Sequence, residues 1–280
     1  MDYDFAVIGG DLRQQYIEKL LVQKGYCVVT YGWGGVRSAV SLQEAMRSPI
    51  VISGIPFTRD QLTICAMKAE EDLTLESMKA YLTPGQRFYA GCIPKSFWEY
   101  CRNSQVSVYD FMENESLTLF NTIATAEGAI AEALLHQPTN LHRSRCLILG
   151  YGKCAKVMAK KIRGMEANVT ICARSEEDRT LADAFGYDTL AFLNWKEHLN
   201  EFEYIFNTVP SVILKEDSLK KMRKDAIIID IASKPGGIDY DAAMRLGIQA
   251  VSALGLPGKY APKSTAEALV RCVLQQEFVS

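Results

Sequence analysis

A glycine turn in the second half of the chain carries the clearest chemical signal. Residues 145–155 predict a buried strand, a turn with the pattern G-x-G-x-x-A, and the first residues of a helix. Two glycines would let the backbone turn tightly, and the final alanine is small enough for the helix to pack on the strand. Amide groups at such a helix start can face a pyrophosphate. We therefore predict that a dinucleotide binds along Gly150, Tyr151, Gly152, Lys153, Cys154 and Ala155.

The choice between NAD and NADP is expected at the end of the next predicted strand. That strand, residues 167–173, leads into Arg174, which lies 24 positions after Gly150. An acidic residue near this distance would bind the 2'-hydroxyl of NAD, whereas an arginine beside a hydroxyl suits the 2'-phosphate of NADP. Ala173, Arg174 and Ser175 are thus predicted to bind NADP. The plainer alternative is a solvated arginine at a strand end.

Two later strands should bring further residues to the same edge of the sheet. Residues 204–207 and 226–230 are apolar runs that predict central strands, and polar residues follow each of them. In an open α/β sheet, ligands bind at the carboxyl ends of the strands. The predicted cofactor contacts here are Asn207, Thr208, Val209, Pro210, Ile231, Ala232 and Ser233.

The first half of the chain begins with a β-α-β pattern of its own. A strand at residues 4–8 ends in two glycines, but the spaced G-x-G-x-x-G is missing. Asp11, Arg13 and Gln14 occupy the turn where that pattern would continue, so they are placed to touch a ligand. A helix-capping aspartate with two solvated neighbours explains them equally well.

Strand and helix patterns alternate in both halves, which argues for parallel sheets covered by helices on both faces. An alanine-rich segment between the halves has helical periodicity and should link them. We expect an α/β fold with two Rossmann-like parallel-sheet domains, and a C-terminal helix that packs back across the domains. The predicted divisions are a substrate domain at 1–114, a linking helix at 115–137, an NADP-binding domain at 138–263 and the C-terminal helix at 264–280.

The composition narrows the classes of partner. A net charge of -2 without a long basic run gives no general attraction to nucleic acid or to an anionic membrane. No apolar stretch approaches membrane-spanning length and the amino terminus lacks a signal-peptide pattern, so we expect a cytoplasmic protein. Eight cysteines without a C-x-x-C pair are expected to be reduced core residues, and no metal site is predicted.

Several segments together resemble the A subunit of dipicolinate synthase, over nearly the whole chain. No single segment is decisive, but their order and spacing are specific. The residues that carry the resemblance are Gly9–Gln14, Gly54–Phe57, Asn121–Ala129, Leu149–Lys153, Asn207–Pro210, Asp230–Gly237 and Leu254–Lys259. The family commonly has Arg-Thr-Gly in the glycine turn where this chain has Lys153, Cys154 and Ala155.

The resemblance implies an oxidoreductase that uses NADP(H) on a dihydrodipicolinate-like compound. Its product would be the pyridine dicarboxylate that bacterial endospores store. It also implies that a flavoprotein-like B subunit is the partner during sporulation, and we expect further copies of the chain as partners in a homo-oligomer.

A dicarboxylate substrate needs cations or N–H donors at both of its ends. Arg13, Lys234 and Lys259 are the candidate cations, with Gln14 and Thr125 as further substrate-binding residues. Each has a plainer interpretation as a solvated or packed surface residue.

The oxidation also releases a proton, which a side chain must accept. Asp11, Glu127 or an unprotonated Lys259 could do so, and no spacing rule selects one of them.

Two other classes of function remain open. A dehydrogenase for an amino acid or hydroxy acid would turn over its substrate without a partner. A nucleotide-binding regulatory or scaffold protein would bind NADP without turnover.

Overall fold

The structure, a computed structural model, describes residues 3–278. The chain divides into two compact units, one formed by the residues up to Phe120 and from Ala261 onwards, the other by Asn121–Tyr260. Each is built on a parallel sheet of the Rossmann-like kind, which confirms the predicted fold class. The division between Phe120 and Asn121 lies within the helix that joins the units.

The first domain contains a five-stranded parallel sheet with the strand order β2-β1-β3-β4-β5. Its elements are β1 (Phe5–Ile8), α1 (Arg13–Gln23), β2 (Val28–Tyr31), α2 (Leu42–Ala45), β3 (Ile50–Ile52), α3 (Leu75–Tyr81), β4 (Arg87–Ala90), α4 (Lys95–Asn103) and β5 (Ser107–Asp110). The long helix α5 (Glu115–His136) follows.

Both faces of the first sheet are buried, because helices cover each of them. On one face Phe57, Phe88 and Phe97 meet edge-on or tilted, with ring centroids 5.0 to 5.1 Å apart, and none of the three is exposed. On the other face α1 packs against the C-terminal helix, where Leu21 and Val273 lie in one apolar cluster.

The second domain contains a six-stranded parallel sheet with the order β11-β10-β9-β6-β7-β8. Its elements are β6 (Arg145–Leu149), α6 (Lys153–Gly164), β7 (Asn168–Ala173), α7 (Glu176–Ala184), β8 (Asp188–Ala191), β9 (Tyr204–Asn207), α8 (Glu216–Leu219), β10 (Ile227–Asp230), α9 (Tyr240–Leu246), β11 (Gln249–Ser252) and α10 (Leu256–Tyr260). Counted within the domain, this order is the Rossmann order 3-2-1-4-5-6 read from the other edge.

The small residues of α5 allow another helix to come close. A side chain at Gly128 would place its Cβ 2.9 Å from side-chain atoms of Leu256 and Tyr260. Ala126 and Ala129 are fully buried in the same cluster as Leu256. The neighbour is therefore α10 of the second domain, and this part of α5 is packed core.

The C-terminal helix α11 (Pro262–Phe278) begins two residues before the predicted position. Ala266, Leu269 and Val270 are buried in a cluster of the first domain. Near its end the Glu277 carboxylate accepts hydrogen bonds from Arg87 and from the Tyr89 hydroxyl. The helix therefore completes the first domain after the chain has formed the second.

The cysteines fit the expectation of a core role only in part. Cys101, Cys146 and Cys172 are buried, and burial raises the pKa of each thiol to about 12. Cys92, in contrast, is exposed. Among residues 3–278, none of the helices has an apolar run of membrane-spanning length, and no three His, Cys, Asp or Glu side chains are grouped for a metal ion.

The aromatic cluster of the first domain supports a stability prediction. Phe97→Ala removes a fully buried ring and should lower the free energy of unfolding by about 3–5 kcal/mol. Val40→Ala, at a side chain that is 91% exposed, should change it by less than about 0.5 kcal/mol. Urea unfolding of both variants checks this, and similar effects for the two would contradict the packing described.

Candidate functional site

The predicted cofactor residues come together at one edge of the second sheet. Strands β6, β7, β9 and β10 are parallel neighbours, and Leu149 and Asp230 both pair in register with Asn207. Their carboxyl ends therefore lie side by side, and the four predicted segments after them share this edge. This is where an open α/β sheet binds its ligands.

The start of α6 has hydrogen-bond donors for an anion. Its N-cap is Gly152, which has no side chain to accept from the first turn. Among the described residues, the amides of Cys154 and Ala155 have no acceptor. A Cβ at Gly152 would meet nothing within 4 Å. These donors and this open space fit a dinucleotide pyrophosphate.

The first glycine of the turn has a different role. Gly150 has φ +95°, a left-handed conformation, and a Cβ there would lie 2.5 Å from the Thr208 hydroxyl. That hydroxyl donates to the Leu149 carbonyl at 2.8 Å. Gly150 thus permits close contact between the ends of β6 and β9, and the Thr208 side chain braces that contact.

Two other residues of the turn, Tyr151 and Lys153, differ in where their side chains lie. Tyr151 is 5% exposed and its ring belongs to the apolar core, where burial raises the pKa of its hydroxyl. Its backbone is the part that remains at the turn. Lys153 is exposed at the first position of α6.

The proposed selector for the 2'-phosphate is only partly free. Arg174 is exposed, and its guanidinium has no ion pair or hydrogen bond among residues 3–278. Ser175 caps α7, accepting from the Asp178 amide at 3.1 Å and donating to the Asp178 carboxylate at 2.8 Å. Its hydroxyl is therefore already engaged both as a hydrogen-bond donor and as an acceptor.

A second arginine supports this corner, which the sequence did not reveal. The Arg179 guanidinium donates to the carbonyls of Ala173 and Arg174 at 3.0 and 2.9 Å. It fixes the backbone that carries Arg174. The sequence feature that could have indicated this contact is a basic residue, Arg179, within the first two turns of the helix after Arg174.

A buried carboxylate organises the loop after β10. Asp230 is 2% exposed and accepts from the amides of Ala232 and Gly237, at 3.1 and 2.9 Å. It also accepts from the Asn207 amide nitrogen at 2.8 Å and the Tyr240 hydroxyl at 3.1 Å. Burial and the Asp230 charge raise the pKa of Tyr240 to about 12, so its hydroxyl stays protonated and donates.

This network changes how Asn207 is interpreted. Its side chain is fully buried, bonded to Asp230 and to the backbone of Val209. Asn207 thus positions the strand ends, whereas Pro210, Ser233 and Lys234 are exposed beyond them. The sequence feature that could have indicated this hydrogen-bond network is a carboxylate, Asp230, at the end of an apolar central strand.

The other candidates of the second domain are paired or locally bonded. Glu127 accepts from Lys161 at 2.7 Å, and the Thr125 hydroxyl donates to the Asn121 carbonyl. Lys259 is bonded to Glu132, and this hydrogen bond raises the pKa of Lys259. An unprotonated Lys259 that accepts a proton is therefore disfavoured.

In the first domain, the predicted ligand residues bond to each other. Arg13 is 3% exposed and grips the Asp11 carboxylate with two hydrogen bonds, at 2.8 and 2.7 Å. The same guanidinium donates to the Ile55 carbonyl. The Gln14 side chain, 2% exposed, accepts from the Asp11 amide at 3.0 Å. In this structure Arg13 and Gln14 hold the turn together.

The two glycine turns therefore differ in chemistry. At the start of α1, the amides of Asp11 and Arg13 are bonded to side chains of the same turn, and the Gly10 amide donates to the Cys65 carbonyl. At the start of α6, donors stay available. The turn with donors for an anion is consequently the one in the second domain.

Comparisons with known proteins agree with this division. Residues 4–112 match the family model of the N-terminal domain of the dipicolinate synthase A subunit. Residues 121–242 match the NAD-binding domain of D-isomer specific 2-hydroxyacid dehydrogenases.

Relatives and solved structures extend the match along the chain. The A subunit of dipicolinate synthase from Bacillus subtilis (strain 168) is 29% identical over 273 residues, covering 94% of this chain and 92% of the relative. The crystal structure of that B. subtilis protein has a TM-score of 0.82 at 25% identity, covering 99% of this chain and 96% of the other. The structure of the Bacillus halodurans A subunit has a TM-score of 0.84 at 23% identity, covering 97% and 96%, and shows the fold.

The predicted resemblance is thus confirmed, and it covers both domains. The chain is similar to the dipicolinate synthase A subunit along its length, and its second domain matches a dehydrogenase NAD-binding domain, so it is an NAD(P)-dependent oxidoreductase.

Proposed function

We propose that this oxidoreductase converts a dihydrodipicolinate-like compound to dipicolinate with NADP(H), together with a flavoprotein-like B subunit, in spore formation. The observation that carries the proposal is the similarity to the A subunit of dipicolinate synthase over 94% of the chain. The N-terminal family model supports it further, because it matches the domain outside the NAD-binding match.

NADP is the proposed cofactor because an arginine follows β7. Arg174 is exposed and unpaired among the described residues, at the position where NAD-specific domains carry an acidic residue. Glu176, Glu177 and Asp178 lie in the first turn of α7. Such carboxylates favour a helix start and are screened by solvent, so they leave the guanidinium as the proposed 2'-phosphate ligand.

The nicotinamide supplies the hydride chemistry, and the protein mainly holds and orients the reactants. The α6 amides are proposed to bind the pyrophosphate. Asp230 keeps the loop of Ile231–Ser233 in place through its bonds to Ala232 and Gly237.

The released proton needs an acceptor, for which Asp11 and Glu127 remain the proposed groups. Both form ion pairs, with Arg13 and Lys161. Lys259 stays protonated beside Glu132 and is proposed as a cation for the substrate, along with the exposed Lys234.

The cofactor proposal predicts the outcome of a charge reversal. Arg174→Asp should weaken NADPH binding by about 100-fold or more, since it replaces a charge-assisted contact with repulsion, while NADH affinity changes little. Dissociation constants for both nucleotides provide the measurement. Lys160→Asp, at an exposed residue of α6, is the matched control and should leave both constants unchanged. Equal weakening of both nucleotides by Arg174→Asp would contradict the 2'-phosphate role.

The reaction predicts a dependence on all components. Purified protein, its flavoprotein-like partner and enzymatically generated dihydrodipicolinate should give dipicolinate together with a change in NADPH absorbance. Product without any nicotinamide turnover would point to a regulatory use of the nucleotide. Turnover of an amino acid or hydroxy acid by the chain alone would favour an ordinary dehydrogenase.

A further inference from the structure

The first domain needs a free cation if it is to hold a carboxylate of the proposed substrate. Arg13, which the sequence suggested, is 3% exposed and already neutralised by Asp11. Its third hydrogen bond reaches the Ile55 carbonyl after β3. A substrate carboxylate would have to displace the Asp11 carboxylate from a guanidinium that is itself buried. Arg13 is therefore a positioning residue that ties the loops after β1 and β3.

The topology indicates where a ligand of this domain should lie. In the strand order β2-β1-β3-β4-β5 the direction of winding reverses between β1 and β3. Ligands of such sheets bind outside the carboxyl ends of the strands at this switch point. Here the two strand ends are in contact, because a Cβ at Gly54 would lie 2.7 Å from the Gly10 Cα. A ligand must therefore rest against the loops above them.

The loop that follows β3 is rigid. We call residues 57–65 the switch-point loop. Within it the Asp60 carboxylate accepts from the amides of Leu62 and Thr63, both at 2.8 Å, and from the hydroxyls of Thr58 and Thr63, at 3.1 and 2.7 Å. The amides of Thr63 and Leu62 hold the pKa of Asp60 well below its usual range, so this carboxylate stays charged.

Backbone hydrogen bonds anchor the same loop to the switch point. The Phe57 amide donates to the Gly91 carbonyl at 2.7 Å, and the Cys65 amide donates to the Phe57 carbonyl at 2.9 Å. The Gly10 amide donates to the Cys65 carbonyl at 2.5 Å. The loop is thereby attached to the turn after β1 and to the end of β4.

Arg59 lies in this rigid loop and is exposed. Among residues 3–278 its guanidinium forms no ion pair or hydrogen bond, although it follows an anchored segment and precedes Asp60. Arg59 lies two residues after Phe57, whose amide is bonded to Gly91 and whose carbonyl is bonded to Cys65. The backbone that carries Arg59 is thus attached at the switch point.

We propose that Arg59 binds a carboxylate of the substrate at the switch point of the first domain. This inference rests on the proposed function for the class of ligand. The guanidinium presents a planar pair of donors that matches a carboxylate, and the ordered loop lowers the entropy lost on binding. Arg59 thus takes the role that the sequence had suggested for Arg13.

The test measures dipicolinate binding by calorimetry to the full chain with saturating NADP. Arg59→Gln should weaken dipicolinate binding by about tenfold or more, because one charge-assisted contact is lost. Arg59→Lys, which keeps the charge without the fork, should fall in between. Arg47→Gln is the matched control, since Arg47 is an exposed arginine at the amino end of β3 and should leave binding unchanged.

Two further measurements make the result specific. All three variants should keep the wild-type melting temperature and NADP affinity, since neither arginine side chain bonds to a described residue.

The outcomes separate the two proposals. If wild-type protein binds dipicolinate and Arg59→Gln binds it as tightly, the role of Arg59 is overturned while the proposed function stands. If wild-type protein with NADP does not bind dipicolinate, the proposed function fails, and the carboxylate site fails with it.

Discussion

The two domains differ in whether the backbone amides at the start of the helix after the glycine turn are free to bind an anion. Both domains have a strand, a glycine turn and a helix. At α1 the amides of Asp11 and Arg13 are bonded within the turn, whereas at α6 the N-cap Gly152 offers no side-chain acceptor. Because unpaired amides favour an anion, the second turn suits a pyrophosphate and the first does not. The family matches follow the same division.

Carboxylates next to strand ends give the edge loops their rigidity. Asp230 accepts four hydrogen bonds after β10, Asp60 accepts four in the switch-point loop, and Asp110 accepts three from the amides of Cys92, Ile93 and Met112. Bonds to a charged acceptor are about twice as strong as neutral ones. These hydrogen bonds therefore fix the backbone of the loops.

Each domain also has an exposed arginine in a segment that follows a strand. Arg59 stands beside Asp60, and Arg174 stands beside Ser175, which is bonded to Asp178. In both, the neighbouring acid is engaged by hydrogen bonds of its own. The guanidinium is consequently left for an anion from outside, a carboxylate in the first domain and a phosphate in the second under the proposals above.

Local sequence patterns were sufficient to predict the fold class and the meeting of the proposed cofactor segments at one edge of the second sheet. Alternating strand and helix patterns are local in origin, and the glycine turn at 150–155 follows from backbone sterics, so both were predictable. The position of Arg174 after β7 was likewise a matter of spacing along one strand.

The tertiary structure determines which basic side chains remain exposed and unpaired among the described residues. Arg13 and Lys259 looked like available cations, but Asp11 and Glu132 neutralise them. Glu132 lies 127 residues from Lys259 in sequence, and no local pattern reports such a distance. The burial of Arg13 likewise depends on the chain segment after another strand. The pairing of Lys259 and the burial of Arg13 arise only when distant segments meet, whereas Asp11 lies just two residues from Arg13. The exposed Arg59 could be assigned to the switch point only from the order of the strands in the folded sheet.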